Sequence, residues 1–209
     1  MILVVSPHFD DAVLSCWSVL TRPEEVRVLT VFAGLPPEGL LGPWDAEGAA
    51  TESRERVRER IEEDRAALSL AGCEGVYLDF LDGQYEPGEQ PLAEGLRAHV
   101  EAADAVYGPQ GSSLNRDHVL VRDALVAVCP ALRLYADLPY SLVEGFDLQP
   151  GLDGHRLRPH DVVLGAEAVA GKVGAVRCYR TQLRQLEGFF GSLDEGALRR
   201  ERTWEPEPP

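Results

Sequence analysis

Positive charge is scarce in this chain. Lys172 is its only lysine, and 20 basic residues face 35 acidic ones, for a formal net charge of −15. Nucleic-acid binding depends on Lys and Arg neutralising phosphates, so nucleic acid is not expected as a partner. Long apolar runs are also missing. No segment reaches the ~18 apolar residues of a membrane span. The early run "ILVVS" follows no basic stretch and is too short for the core of a signal peptide. The expectation is a cytoplasmic protein with no membrane partner. Cysteine is sparse and unpaired in pattern: Cys16, Cys73, Cys129 and Cys178 form no CxxC pair. A disulfide framework is not expected in a chain long enough to fold without one. There is no internal repeat.

What is present is an alternation of strand and helix patterns. At 209 residues and 44% hydrophobic content, the chain can bury one real core. Apolar strand-like runs occupy 2–6 ("ILVVS"), 26–32 ("VRVLTVF"), 75–81, 104–109 and 132–138, with a short strand expected near "HRLRP". Helical spacing covers 11–21, 51–71, 91–103, 118–128 and 165–188. The charge run at 52–64 reads as the solvated face of a helix. Residues 34–50 are rich in Gly and Pro without periodicity, which suits a lid or binding loop. The expected fold is a Rossmann-like three-layer α/β sandwich with a mainly parallel sheet. One domain is expected over 1–200, with a disordered tail at 201–209.

In such sheets ligands bind beyond the carboxyl ends of the strands. "SPHFDDAVLSC" places His8, Asp10 and Asp11 there, directly behind the first strand. "NRDHVLVRDAL" places Asn115 and His118 behind the fourth. His8 and Asp11 can face one point, and His118 is a candidate third ligand. Two histidines and one carboxylate, with a position left for water, make up a catalytic zinc site. Asp10 is then free to take a proton from water at the metal. Simpler roles compete: an Asp at a helix start is commonly an N-cap, and a lone histidine is commonly structural. The same ligand set also describes Fe(II) oxygenases, though those are expected on all-β barrels. His99, His155 and His160 lie outside both clusters and are expected to be structural or at the surface.

The first segment resembles the "AHPDDE" signature of the LmbE-like, or PIG-L-like, N-acetylglucosaminyl deacetylases. The second resembles their "HPDH" element. "RIEEDRAALSLAG", "FLDGQY", "DLPYS" and "KVGAVRCYRTQL" resemble further family segments, so the likeness runs from residue 2 to about 188. The resemblance implies a Rossmann-like zinc hydrolase that removes an N-acyl group, usually acetyl, from a small amino-sugar substrate. By position it implies His8, Asp11 and His118 as zinc ligands, Asp10 as general base, Arg60 as a substrate contact and Asp82 as a contact to sugar hydroxyls. Arg60 and Asp82 also read simply as members of a charged helix and a turn. Trp44, the large aromatic of the 34–50 loop, is a candidate to stack on a sugar ring or to anchor the loop. A homo-oligomer is compatible with the family.

Two positions depart from the family pattern. Phe9 stands where the family has Pro, between ligands whose spacing is kept. Asn115 stands where the family has the first His of "HPDH". An amide can donate to an oxyanion but cannot act as a general acid. Asp10 would therefore have to return its proton to the leaving nitrogen. The alternative is a metal- or sugar-binding protein of the same fold with weak or no catalysis.

Overall fold

The computed structural model describes residues 1–148 and 156–207. Its seven-stranded sheet grows outward from β1 (Ile2–Ser6). The apolar run of β1 is buried on both faces, with Ile2 and Val4 in one core and Leu3 and Val5 in the other. Side chains alternate across a strand, so one continuous apolar stretch feeds both layers. β1 pairs in parallel with β2 (Val26–Thr30) on one side and with β4 (Ala105–Pro109) on the other. β3 (Glu74–Tyr77) continues the sheet beyond β2, and β5 (Arg133–Tyr135) continues it beyond β4. The strand order is β3-β2-β1-β4-β5, then β7 (Arg200–Pro206) and β6 (Leu157–Val163), the last two antiparallel.

The short α7 (Ser141–Glu144) follows β5, and on one face lie α1 (Asp11–Ser15), α2 (Trp17–Leu20), the long α4 (Ser53–Ala71), α8 (Ala166–Val176) and α9 (Arg180–Phe190). On the other lie α5 (Leu92–Glu101) and α6 (Arg116–Val128). Connections from β1 run one way, through β2 to β3, and those from β4 run the other way. The reversal leaves a crevice at the carboxyl ends of β1 and β4, the usual ligand position in such folds.

Three expectations change. The 34–50 segment is not a free lid: it contains α3 (Pro43–Glu47), and Asp45 is fully buried. The helix expected over 165–188 is two helices, separated at 177–179. The tail expected at 201–209 is strand through Pro206, inserted between β5 and β6. There Glu201 is buried, accepts hydrogen bonds from the N–H groups of Trp17 and Ser18, and pairs with Lys172 at 2.7 Å. The "EPEPP" composition hides this because the partners that neutralise and bury the strand are remote in sequence. His155 lies outside the described residues.

Candidate active site

The turn after β1 is built by short polar contacts. Ser6 Oγ donates to the carbonyl of His8 at 2.6 Å and accepts from the Ala12 N–H at 3.0 Å. Asp11 Oδ2 accepts from the His8 N–H at 2.8 Å, folding that carboxylate back over the turn. The same oxygen lies 3.3 Å from His8 Nδ1 and 3.4 Å from His118 Nε2. Asn115 caps α6 by accepting from the Asp117 N–H at 3.0 Å, which sets His118 in the first turn of that helix.

The outer nitrogen of each imidazole meets a different carboxylate. His8 Nε2 is 3.2 Å from Asp117 Oδ2, and His118 Nδ1 is 2.9 Å from Asp137 Oδ1. Ionised carboxylates only accept, so in the neutral imidazoles these nitrogens carry the protons and His8 Nδ1 and His118 Nε2 keep the lone pairs that a cation would take. His118 Nε2 is buried and has no hydrogen-bond partner. Two lone pairs turned onto one carboxylate oxygen, with the imidazoles braced from behind, fit a divalent cation and its outer shell. One ligand atom from each of His8, Asp11 and His118 lies within 4.8 Å of the others. A second group, His8, Asp82 and Asp117, meets the same limit. Its carboxylates are otherwise occupied: Asp117 accepts from the Gly83 N–H at 2.9 Å, and Asp82 accepts from the backbone and side chain of Gln84. A Cβ on Gly83 would lie 2.6 Å from the Asp117 carboxylate, so a side chain there would push this brace away from His8.

The electrostatics suit a cation in this position. Burial opposes charge on both histidines, but the surrounding carboxylates outweigh it and raise both pKa values. Asp11 is held below the ordinary carboxylate range because the two histidines outweigh its own burial. Asp10 behaves oppositely. Its burial and the adjacent Asp11 push it up to about 6, against the pull of His8 and Arg60. Asp10 occupies the N-cap position of α1, yet its side chain makes no capping hydrogen bond. It lies instead on the wall of a cavity of about 1330 Å³ together with His8, Asp11, Asp82, Asn115 and Asp117.

Trp44 also lines this cavity, with its ring stacked on Phe189 at 5.8 Å between centroids. Asn115 Nδ2 donates to the Tyr140 hydroxyl at 3.0 Å, and the Tyr140 ring meets His118 edge-on at 4.9 Å. Burial raises the Tyr140 pKa well above its ordinary value, so this hydroxyl keeps its proton. Arg60 is not on the cavity wall. It is buried, 2.7 Å from Asp45, an ion-pair contact without the alignment of a hydrogen bond. Asp45 also accepts from the Tyr85 hydroxyl at 2.7 Å. Arg60 thus anchors α3, which carries Trp44.

Residues 3–129 match the model of the PIG-L family, described as GlcNAc-PI de-N-acetylase. The chain belongs to the PIG-L family. A PIG-L relative, 2'-N-acetylparomamine deacetylase from Streptomyces fradiae, is 31% identical over 163 residues, 66% of this chain and 57% of that protein. The chain therefore spans just over half the length of this curated relative. Among solved structures it is similar to the A40926 pseudoaglycone deacetylase Dbv21, with a TM-score of 0.84, 29% identity, and coverage of 98% of this chain and 96% of that one. It is also similar to the zinc-inhibited form of the teicoplanin deacetylase Orf2, with a TM-score of 0.80, 25% identity, and coverage of 97% and 96%.

Within this PIG-L site, sequence reasoning missed Asp117 and Asp137 as contributors, and it weighed Tyr140, like Trp44 and Tyr85, only as a ring to stack on a sugar or to pack on the protein, not as the hydroxyl partner of Asn115. "DLPYS" carries two of them, and only its resemblance to a family segment marked it. No local pattern announces that β5 delivers Asp137 to a histidine of α6.

Proposed function

We propose that this protein is a zinc-dependent N-deacetylase acting on an N-acetylglucosamine-type amino sugar or its conjugate, with the cytoplasm as its compartment. The observation that carries this reading is the buried, partnerless Nε2 of His118 turned onto the same Asp11 oxygen as His8 Nδ1, beside an Asp10 carboxylate that caps nothing. The deacetylase relatives support the reaction class.

His8 Nδ1, Asp11 and His118 Nε2 would hold the zinc, which supplies Lewis acidity to water and to the amide carbonyl. Asp117 and Asp137 fix the tautomers that aim those nitrogens. Asp10 takes a proton from the attacking water at its carboxylate and later gives it to the departing nitrogen. That double duty follows from Asn115, which has no acidic proton. The Asn115 amide keeps a hydrogen beyond the one given to Tyr140, and the Tyr140 hydroxyl keeps its own. Both donate to the carbonyl oxygen as charge builds on it. Asp82 accepts from sugar hydroxyls, and Trp44 covers the sugar from the α3 side.

The test is acetate release from a panel of N-acetylated amino sugars by protein purified without added metal, with metal content measured in parallel. Turnover that falls by about 10²- to 10⁴-fold in Asp10→Asn while zinc stays bound is the expected result. Ligand binding without turnover across the panel would instead identify a binding protein of this fold, with Asn115 as the cause. Bound iron with oxygen consumption would overturn the hydrolase reading.

A further inference from the structure

One buried donor on the cavity wall has no partner. Gln182 is 5% exposed and lines the same cavity as Asp10, and its Nε2 is buried without a hydrogen bond. Among the described residues with such an orphaned side-chain atom, Gln182 alone belongs to that wall. Arg60 Nη2 and Asp45 Oδ1, by contrast, face each other in their ion pair. A buried amide N–H left unpaired costs stability, and folded proteins keep few of them. On the wall of a binding cavity, the missing acceptor is one that arrives with the ligand.

The helix that carries Gln182 is clamped, so no shift of α9 relieves this donor. Glu63 accepts from the Thr181 N–H at 3.1 Å and from the Thr181 hydroxyl at 2.7 Å. Tyr179, just before the helix, donates to Asp64 at 2.7 Å. Gln185 Nε2 donates to the Trp44 carbonyl at 2.9 Å. Between these clamps, Gln182, Leu186, Phe189 and Phe190 recur at helical spacing and all line the cavity. Gln182 is the polar member of that stripe. The last torsion of a glutamine is soft, so its amide can turn to the cavity with α9 held still. This end of α9 lies near the chemistry, since the charge of Asp10 reaches both Asp64 and Tyr179. Arg60, expected as a substrate contact, is engaged by Asp45 and absent from the wall.

Resting on the amino-sugar reading above, we propose that Gln182 determines specificity: its Nε2 donates to the free sugar hydroxyl on the carbon next to the acetamido carbon. The scissile amide lies between the candidate metal ligands and Asp10, and the oxygen one carbon away is the nearest hydroxyl acceptor on the ring. Asp82 and Gln182 then ask different things of the sugar. An ionised Asp82 only accepts hydroxyl protons, whereas Gln182 gives a proton to a hydroxyl oxygen. A sugar lacking that hydroxyl leaves the Gln182 donor unpaired, and sites built in this way reject such analogues.

The experiment compares kcat/KM for the methyl glycoside of N-acetylglucosamine with its 3-deoxy, 4-deoxy and 6-deoxy forms. Wild type is set beside Gln182→Met, which keeps the side-chain volume and loses the donor. In wild type the 3-deoxy sugar is expected to fall about 10- to 100-fold below the parent. In Gln182→Met that deficit should shrink at least fivefold, with the 4-deoxy and 6-deoxy ratios unchanged. A structural role alone would lower all four substrates together and leave every ratio in place, which would overturn the proposal. So would a 3-deoxy sugar that wild type turns over as well as the parent, or a change confined to the 4-deoxy or 6-deoxy ratio. If Gln182→Met does not fold, Gln182→Asn, which withdraws the amide by one methylene, takes its place with the same expected ratios. Should none of the four sugars be hydrolysed, the deacetylase reading fails separately. Calorimetric binding of the parent and 3-deoxy glycosides to wild type and the variant then decides. Parent binding at least tenfold tighter, with the difference lost in the variant, upholds the Gln182 contact. Equal affinities, or no binding of either sugar, overturn it.

Discussion

Asp137 Oδ1 lies 2.9 Å from His118 Nδ1, with both side chains fully buried. A carboxylate behind a ligand histidine fixes the ring's tautomer and raises its basicity, and losing such a partner typically costs about 10- to 100-fold in metal affinity. Asp137→Asn keeps an acceptor for the Nδ1–H and loses the charge, so a loss near tenfold is expected. Asp137→Ala removes both and should approach a hundredfold. Competition for zinc against a chromophoric chelator reads the difference, with circular dichroism checking the fold. Affinities equal to wild type in both variants would show that the pair is structural only.

Arg60 and Asp45 form a buried ion pair, 3% and 0% exposed, under α3. Removing one partner of such a pair strands a charge and typically costs about 3–5 kcal/mol. Arg60→Met should therefore lower stability by that order, and Arg60→Met/Asp45→Asn should recover part of it. Urea denaturation of the four proteins in this cycle measures the coupling. If Arg60 instead contacts substrate directly, the single variant would keep its stability and lose only KM.

Asp64 gives the fold a pH dependence of its own. Burial pushes its carboxyl up to about 7, even though the Tyr179 hydroxyl donates to it at 2.7 Å. The folded protein therefore keeps a proton on Asp64 between about pH 4 and 7, where the unfolded chain has released it. The proton-linked stability is complete below about pH 4 and is lost as pH rises through 7. At about 1.4 kcal/mol per pKa unit this amounts to a few kcal/mol. Asp64→Asn removes the titration, so its denaturation midpoint should fall less than that of wild type between pH 5 and pH 8. Parallel pH profiles for the two proteins would contradict the assignment.

The first strand and the polar cluster behind it were legible because both signals are local. A two-faced apolar run specifies a central parallel strand, and His8, Asp10 and Asp11 follow within one turn. The segment from Asn115 to His118 was legible for the same reason, behind β4. The outer carboxylates were not, because Asp137 and Asp117 gain meaning only when β5 pairs with β4 and the Gly83 turn packs on α6. Arg60 carried two expectations, a substrate contact implied by the resemblance and one charge of a solvated helix face, and its burial against Asp45 departs from the second. Inside "ESRERVRERIEED" it looks like one solvated charge among many, and nothing in that helix shows that Asp45, from a segment without periodicity, will cover it. Asn115 was legible as a departure from the family pattern, but its double engagement, as helix cap and as donor to Tyr140, depends on a residue 25 positions away.

Lys172 is the hidden support of the C-terminal strand. Its ammonium is fully buried 2.7 Å from Glu201 Oε1, and the Glu201 carboxylate also accepts the first N–H groups of α2. Glu201 thus joins β7, α2 and α8 at one point. Lys172→Met leaves the carboxylate buried with only backbone donors, and a loss of about 3–5 kcal/mol is expected. Glu201→Gln in that background keeps hydrogen-bonding capacity without the stranded charge, so it should recover part of the loss. Hydrogen exchange distinguishes this from general weakening: amides of β7 and of the α2 N-terminus should lose protection in Lys172→Met before those of β1. Uniform loss across the sheet would show that the ion pair stabilises the domain as a whole and does not specifically fasten β7 in place.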